Sequence, residues 1–390
     1  MPVTGNRRSD LAVSSYADAH VHADDRDWLV LTWTSDEADA LAVDIRALVS
    51  SELVREVEDG LPWIRDYKVK DPWGTAALGE AIASHLGSDL VQPDVTTGAG
   101  VGPMLRDLAL LGAPAPVYVA TDVYPDFPVW AARAARAAVP ARSDARTTRS
   151  IDDHRRAIDR CGASVVFLER PALRGDVTDD LGVTLDLCQA LSDRDVLVVV
   201  DESNANYCPP AFSAARETGA VDNLVVLRGL SKGYGLGGLR LGYCVSSASA
   251  TAHVRSCIAP LQASSIALRI GRSVLTSGDV TAPLRERIRS HRPAAHAAAE
   301  EAGLGPVVLA GEHLPYLLFG DVPSSAIDAL GRFGLRAKVH RCWGRDGAQM
   351  SEVVRASVPI NEERLSRYIA LLRQGGGAST IPIEDSEEPP

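Results

Sequence analysis

The sequence predicts an α/β protein: a three-layer α/β/α large domain around a mostly parallel sheet, followed by a smaller α+β domain. Three observations carry that expectation. Between about Pro93 and Val245, short β-branched runs alternate with Ala-rich segments of helical spacing. Those β-branched runs are near-continuously apolar, the pattern of strands covered by helices on both faces. After about residue 260 the pattern changes to one long helix, several short strands and a closing helix.

The strand candidates in order are "PVYVA" (116–120), "SVVFLE" (164–169), "VLVVVD" (196–201), "NLVVLR" (223–228) and "LGYCVS" (241–246). Between them, "PVWAARAARAAV" (128–139), "TLDLCQALSD" (184–193) and "AFSAARETGA" (211–220) have helical spacing. In the last third, the helix "VTAPLRERIRSHRPAAHAAAEEAG" precedes short strands at "VVLA", "PYLLFG" and "VVRASV", and then the helix "NEERLSRYIALLRQ". We expect an N-terminal segment (1–45) packed with the small domain, a large domain (46–260), the small domain (261–374) and a disordered acidic tail (375–390).

Bulk composition narrows the function classes. The chain has 390 residues, 46% apolar and 23% charged, with a net charge of −11. An acidic chain without a basic stripe argues against nucleic acid. No apolar run is long enough for a membrane span, and the N-terminus lacks the apolar core of a secretory signal, so a cytoplasmic location is expected. The six cysteines form no close pair, and His20 and His22 have no further ligands nearby. No metal site is expected.

The chemistry concentrates in "RGLSKGYGLGGLRLGY" (228–243). Glycine is costly inside regular structure, and a lysine behind an apolar strand needs a partner or loses its charge. A phosphate-binding P-loop carries its lysine before Ser or Thr, whereas Ser231 precedes Lys232 and Gly233 follows it. A lysine in a cleft can instead form a Schiff base with a carbonyl. Such a lysine needs an aldehyde cofactor, a phosphate site and an acid for the ring nitrogen. Asp201 closes "VLVVVD" and is placed to face a pyridinium nitrogen. Arg240 can clamp a phosphate as a planar fork. "TTGAGVGPM" (96–104) is a Gly-rich turn entering a helix, where Gly100 and Val101 can offer N–H groups to an anion. Tyr124 lies in a loop after a strand and can stack on a ring. In sheets of this kind ligands sit at the carboxyl ends of the strands, where Asp201, Arg228 and Tyr124 fall. Arg355 interrupts the apolar run "VVRASV", which favours a buried ion partner.

"LSKGYGLGGLRLGY" together with "VVVDES" resembles the lysine motif of the fold type I pyridoxal-phosphate enzymes. The likeness is to the class I/II aminotransferases, near their histidinol-phosphate aminotransferase-like branch. The order of parts is similar over roughly residues 60–370, and the spacing of eight between Lys232 and Arg240 is the family's. The resemblance implies pyridoxal 5'-phosphate on Lys232, with Asp201 at the ring nitrogen, Tyr124 stacked on the ring and Arg355 gripping the substrate's α-carboxylate. It also implies amino-acid and 2-oxo-acid substrates and a homodimer with shared active sites. The sequence departs from the family in three places. The asparagine of its Asn-Pro-Thr-Gly-like segment is absent from "ERPALRGDV", where Leu173 or Arg174 lies near its place. Asn204 stands where a tyrosine is usual, and its amide is expected to donate to the ring oxygen. Gly229 replaces a common Ser or Thr, leaving Ser231 to reach the phosphate. The expected function is amino-group transfer by a ping-pong route. The alternative is elimination, replacement, decarboxylation or oxidative deamination on the same scaffold. A non-catalytic binding module fits poorly with an intact Lys232, Asp201 and Arg240.

Overall fold

A computed structural model describes residues 28–374 except 33, 35, 66, 88–93, 120–122, 125, 141–149, 176, 320–322 and 344–349. His20, His22, most of the N-terminal segment and the acidic tail lie outside the described residues. In chain order the strands are β1 (Leu29–Val30), β2 (Asp94–Gly98), β3 (Val117–Val119), β4 (Ala138–Pro140), β5 (Val165–Glu169), β6 (Leu197–Asp201), β7 (Leu224–Gly229), β8 (Gly242–Ser246), β9 (Val307–Leu309), β10 (Tyr316–Phe319), β11 (Leu335–Arg336), β12 (Lys338–Trp343) and β13 (Met350–Ser357).

Seven of them form one sheet in the order β2-β8-β7-β6-β5-β3-β4. Every neighbouring pair is parallel except those made by β8, which runs antiparallel to both β2 and β7. The reason is local. Residues 230–241 contain no α-helix to carry the chain back across the sheet, so β8 returns beside β7 in the opposite direction. The five predicted strands all appear; four are shortened by a residue at one or both ends, and 223–228 becomes Leu224–Gly229. Their apolar side chains form one large core with the helices on both faces.

Two predicted helices are not as read. The segment 128–139 is helical only to Arg133, and Ala138–Pro140 is an edge strand paired with β3. Buried Arg136 causes the break, because its guanidinium donates to the carbonyls of Ala115 (2.6 Å) and Ala109 (3.1 Å). Ala135 takes a left-handed φ of 57° to allow the turn. The segment 211–220 forms short 3₁₀ turns instead of an α-helix, because the Ala214 N–H donates outward to Glu202 at 2.7 Å.

The C-terminal third carries a four-stranded antiparallel sheet, β12-β13-β10-β9, backed by the helices Ala282–Glu301, Pro323–Arg332 and Glu362–Gln374. Residues 28–32 join it: β1 pairs in parallel with β11, and the Ser357 N–H donates to the Leu31 carbonyl at 2.7 Å.

Under the carboxyl edge of the large sheet lies a charge network sealed from water. The Glu202 carboxylate accepts from Arg170 (3.1 Å), Arg228 (2.6 Å), Ser213 and the Ala214 N–H. Arg170 and Arg228 are each 2% exposed and Glu202 is 0% exposed. Arg228 therefore serves this network and does not face a ligand. Removing one partner of a buried ion group leaves uncompensated charge, at about 3–5 kcal/mol. Glu202→Gln should lower the stability by about that amount, read as a fall in the urea midpoint.

His85 lies beside this network, with Nε2 3.3 Å from the Tyr234 hydroxyl. Burial, aided by repulsion from Arg228, lowers its pKa to about 4. The unfolded chain takes up a proton near pH 6.5, but the folded chain resists until about pH 4. Stability from His85 is thus complete above pH 6.5 and is lost as pH falls toward 4, on the order of 3 kcal/mol at most. Melting temperatures across that window should fall less steeply in His85→Gln.

Candidate active site

Three strands of the large sheet deliver side chains to one edge. Glu169 and Asp201 end β5 and β6 in register, and β7 ends at Gly229. Beyond Gly229 the loop 230–241 arches over this edge and carries Lys232. The loop is fixed by Asn206, whose Nδ2 donates to the carbonyls of Gly229 (2.7 Å) and Lys232 (2.8 Å). Asn206 Oδ1 accepts from Arg228 at 3.0 Å, so the Glu202 network aims the lysine loop. Gly233 has φ +77°, and a Cβ there would lie 2.8 Å from Asn206 Cβ. Only glycine lets the loop close on its anchor.

A cavity of about 710 Å³ opens at this edge. Of the predicted residues, Val101, Tyr124, Asp201, Ser231, Lys232, Arg240 and Arg355 line it. Lys232 Nζ is 3.5 Å from Ser203 Oγ, and Asp201 is 1% exposed. Burial raises the Asp201 pKa, while the neighbouring Lys232 charge and the Ser203 N–H at 2.8 Å pull it down. The Tyr124 hydroxyl donates to Asp126 Oδ2 at 3.1 Å.

Gly100 precedes the helix Val101–Leu108, which has no side-chain N-cap. A Cβ on Gly100 would lie 2.8 Å from Arg240 Nη2, so the turn and the guanidinium are in direct contact. A Cβ on Gly242 would meet the Val101 nitrogen at 2.8 Å, and one on Gly229 would meet Val101 Cγ2 at 2.7 Å. The glycines therefore bring β7, β8, a helix N-terminus and an arginine to one point, a combination suited to a phosphate. Asn204 behaves differently from its expected role. It is 4% exposed, is not among the cavity's lining residues, and donates Nδ2 to Glu169 Oε1 at 3.1 Å.

Several lining residues were not singled out in the sequence. Ser203 sits two residues after Asp201. Glu37, 2% exposed, accepts from the Gly233 N–H at 3.0 Å and from the hydroxyls of Thr34 and Tyr207. Burial pushes the Glu37 carboxyl up against those hydrogen bonds. Tyr316 lies under the Arg355 guanidinium, 4.3 Å from ring centroid to Cζ. Lys338 stands opposite Arg355 on β12, and burial with the nearby Arg355 charge lowers its pKa to about 7. Glu37 lies 195 residues before Lys232, and Lys338 becomes meaningful only once the β12–β13 register is known.

Residues 67–330 match the family "Aminotransferase class I and II". The chain belongs to that family. It is 31% identical over 163 residues to the aromatic amino acid aminotransferase of Mycolicibacterium vanbaalenii, covering 40% of this chain and 44% of that protein. The match thus spans under half the length of that curated relative. The fold is similar to the aspartate aminotransferase of Thermus thermophilus, with TM-score 0.70, 18% identity, and coverage of 96% of this chain and 100% of the other. It is also similar to the histidinol-phosphate aminotransferase of Sinorhizobium meliloti solved with pyridoxal 5'-phosphate, with TM-score 0.63, 22% identity, and coverage of 84% and 87%. Among the described residues of this class I and II aminotransferase family member, no helix is long and apolar enough to cross a membrane.

The turn at Gly100 has φ +100°, a conformation costly for any side chain, and its missing Cβ makes room for Arg240. Gly100→Ala should destabilise the fold by about 1–3 kcal/mol and displace Arg240. Thermal melts check the first effect. Weaker binding of inorganic phosphate by the ligand-free protein checks the second.

Proposed function

We propose that the protein is a pyridoxal-phosphate-dependent aminotransferase acting on an amino acid and a 2-oxo acid. The observation that carries this reading is the convergence of Lys232, Asp201 and the Gly100–Arg240 contact on one cavity. The residues present fit the cofactor: an amine for its aldehyde, a buried acid for its ring nitrogen, and an arginine beside an uncapped helix start for its phosphate. Tyr124, on the cavity wall, would stack on the ring. When bound there, the cofactor supplies an electron sink that makes the substrate's Cα–H acidic.

The chain's own groups divide the remaining work. Arg355 binds the substrate carboxylate and orients Cα toward Lys232. Lys232 Nζ takes the proton from Cα and returns it elsewhere on the reacting system. The same amine is the covalent anchor between turnovers. Asp201 holds a proton at the ring nitrogen, a task suited to a buried carboxylate that already has a cation as its neighbour. Apolar Leu105, Val101 and Ala38 line the same cavity and restrict water within it.

A homodimer belongs to the same reading. Val54, Val57, Ile64, Tyr67 and Val69 are each more than half exposed along residues 54–69 of one chain. Such a concentration of apolar surface suits a partner subunit. The names of the relatives set the first substrates to try: aromatic amino acids, aspartate and histidinol phosphate.

The test is a panel of amino acids with and without 2-oxoglutarate. Transamination predicts stoichiometric conversion that stops at the pyridoxamine form without acceptor and continues when acceptor is added. Repeated turnover without any acceptor would overturn it in favour of elimination or decarboxylation. Lys232→Ala should abolish both the turnover and the visible absorbance of covalently bound cofactor, while Arg355→Ala should raise KM for amino acids by about 10- to 100-fold.

A further inference from the structure

We infer, on the aminotransferase reading, that Ser203 is a positioning residue for the reactive amine. Its hydroxyl holds Lys232 Nζ during the part of the cycle in which that nitrogen carries no carbonyl carbon.

The serine is itself held on both sides. It follows Asp201, which ends β6, and Glu202, whose carboxylate is locked in the buried network. The Ser203 N–H donates to Asp201 Oδ1 at 2.8 Å, and the Ala205 N–H donates to the Glu202 carbonyl at 2.9 Å, which closes the turn. Among the described residues the Ser203 hydroxyl makes no hydrogen bond to the backbone, so the turn does not use it. The hydroxyl lies instead 3.5 Å from Lys232 Nζ, on the wall of the same cavity, and among the described residues Nζ has no other hydrogen bond. Asp201 acts on the lysine through space, since among the described residues no ion pair joins the two. Burial raises the Asp201 pKa, while Lys232, the Ser203 N–H and the Ser203 hydroxyl lower it. Ser203 thus stands beside both charged groups, with its N–H on the carboxylate and its oxygen at the amine.

A free lysine side chain has much rotamer freedom to lose before its nitrogen stays in one place. A carboxylate can hold it only as the ammonium, because an ionised carboxylate accepts and does not donate. A hydroxyl does both, so it holds the neutral amine and the ammonium alike. That suits a nitrogen that gains and loses a proton in each half of the reaction. When the substrate's Cα–H bond breaks, its electron pair stays on the substrate side and the proton ends on Nζ. Ser203 loses nothing in that step; it turns from donor to acceptor. The separation of 3.5 Å is at the long end for a hydrogen bond, as is common for catalytic contacts before substrate binds.

The first test uses the protein free of cofactor. Trinitrobenzenesulfonate modifies neutral amines, and modified Lys232 is counted by peptide mass spectrometry at one fixed pH. The hydroxyl restrains either the lone pair or the protons of Nζ. Ser203→Ala should therefore speed the labelling by about 2- to 10-fold, and Ser203→Thr should return it near the parent rate. The second test is exchange of an amino acid's Cα–H for deuterium by the holoenzyme in heavy water, without 2-oxo acid. Ser203→Ala should slow that exchange and lower kcat by about 10-fold with KM little changed, and Ser203→Thr should restore both. Thermal melts should match the parent, because alanine keeps the backbone N–H that closes the turn. Ser203→Cys, close in size and a weak hydrogen bonder, serves if the alanine variant does not fold. Unchanged labelling overturns the inference. So does faster labelling with unchanged exchange, which would leave the contact idle in the reaction. A loss carried by KM alone overturns it too, and would put Ser203 on the substrate. Because labelling needs no turnover, a parent protein that neither transaminates nor exchanges Cα–H, yet labels faster as Ser203→Ala, refutes the function and leaves the contact standing.

Discussion

Glu202 is fully buried, and its charge is held entirely by groups of the chain at the carboxyl edge of the large sheet. Its two oxygens take two guanidiniums, a hydroxyl and a backbone N–H, which ties the segments after β5 and β6 to the end of β7. Such a network adds little net stability, since desolvation offsets most of the attraction. Its effect is on geometry. Arg228, held by Glu202, orients Asn206, and Asn206 holds the carbonyls on either side of the Ser231–Lys232 turn. A reactive amine must be placed within fractions of an ångström, and a chain of buried, charge-assisted hydrogen bonds has few alternative arrangements. Asp201 precedes Glu202 in sequence, so the same β6 terminus presents one carboxylate to the cavity and turns the next one into the scaffold.

The cavity itself is divided by charge. Asp201 lies at the strand ends with Lys232 as its electrostatic neighbour. Arg240 lies against the Gly100 turn, while Arg355 and Lys338 come from the small sheet. A ligand that is anionic at two ends and carries a basic ring nitrogen or amine between them complements this layout better than a uniformly charged one. The pattern is electrostatic complementarity of the kind that fixes orientation more than it adds affinity.

How much of this was legible in the sequence depends on whether the signal was local. The buried strands were readable because each is a continuous apolar run, and Lys232, Asp201 and Arg240 were readable because their spacing lies within one stretch or one strand end. Helical spacing misled at 128–139 and 211–220. In both, a buried charged group competes with the helix: Arg136, inside the first segment, donates to the carbonyls of Ala109, Leu111, Ala115 and Pro116, and Glu202 captures the N–H of Ala214. Propensity is a weak prior against such partners. Asn204 is expected to donate to a ligand because it stands where the resembling family has a tyrosine, but the β5–β6 register puts Glu169 beside it, and the carboxylate takes the amide. Glu37 and Lys338 carry no local mark at all, since their meaning comes from which segments the fold brings together.

The pair Asp36 and Glu37 shows what that bringing together does. Asp36 accepts from the N–H groups of Ile360 (2.9 Å) and Asn361 (2.7 Å), at the start of the closing helix beside the small sheet. Glu37 accepts from the Gly233 N–H, the peptide next to Lys232. Two consecutive residues therefore fasten the small sheet's end of the chain to the lysine loop. The link between them is short, so a large change in the distance from Ile360 to Gly233 would cost a hydrogen bond to a buried carboxylate. Arg355 sits on β13, five residues before Ile360. This dipeptide, as well as the two sheets, therefore links the strand that carries Arg355 to the loop that carries Lys232. Among the described residues of the N-terminal segment, Thr32, Thr34, Glu37 and Ala38 also reach the cavity, so this segment helps to form its wall.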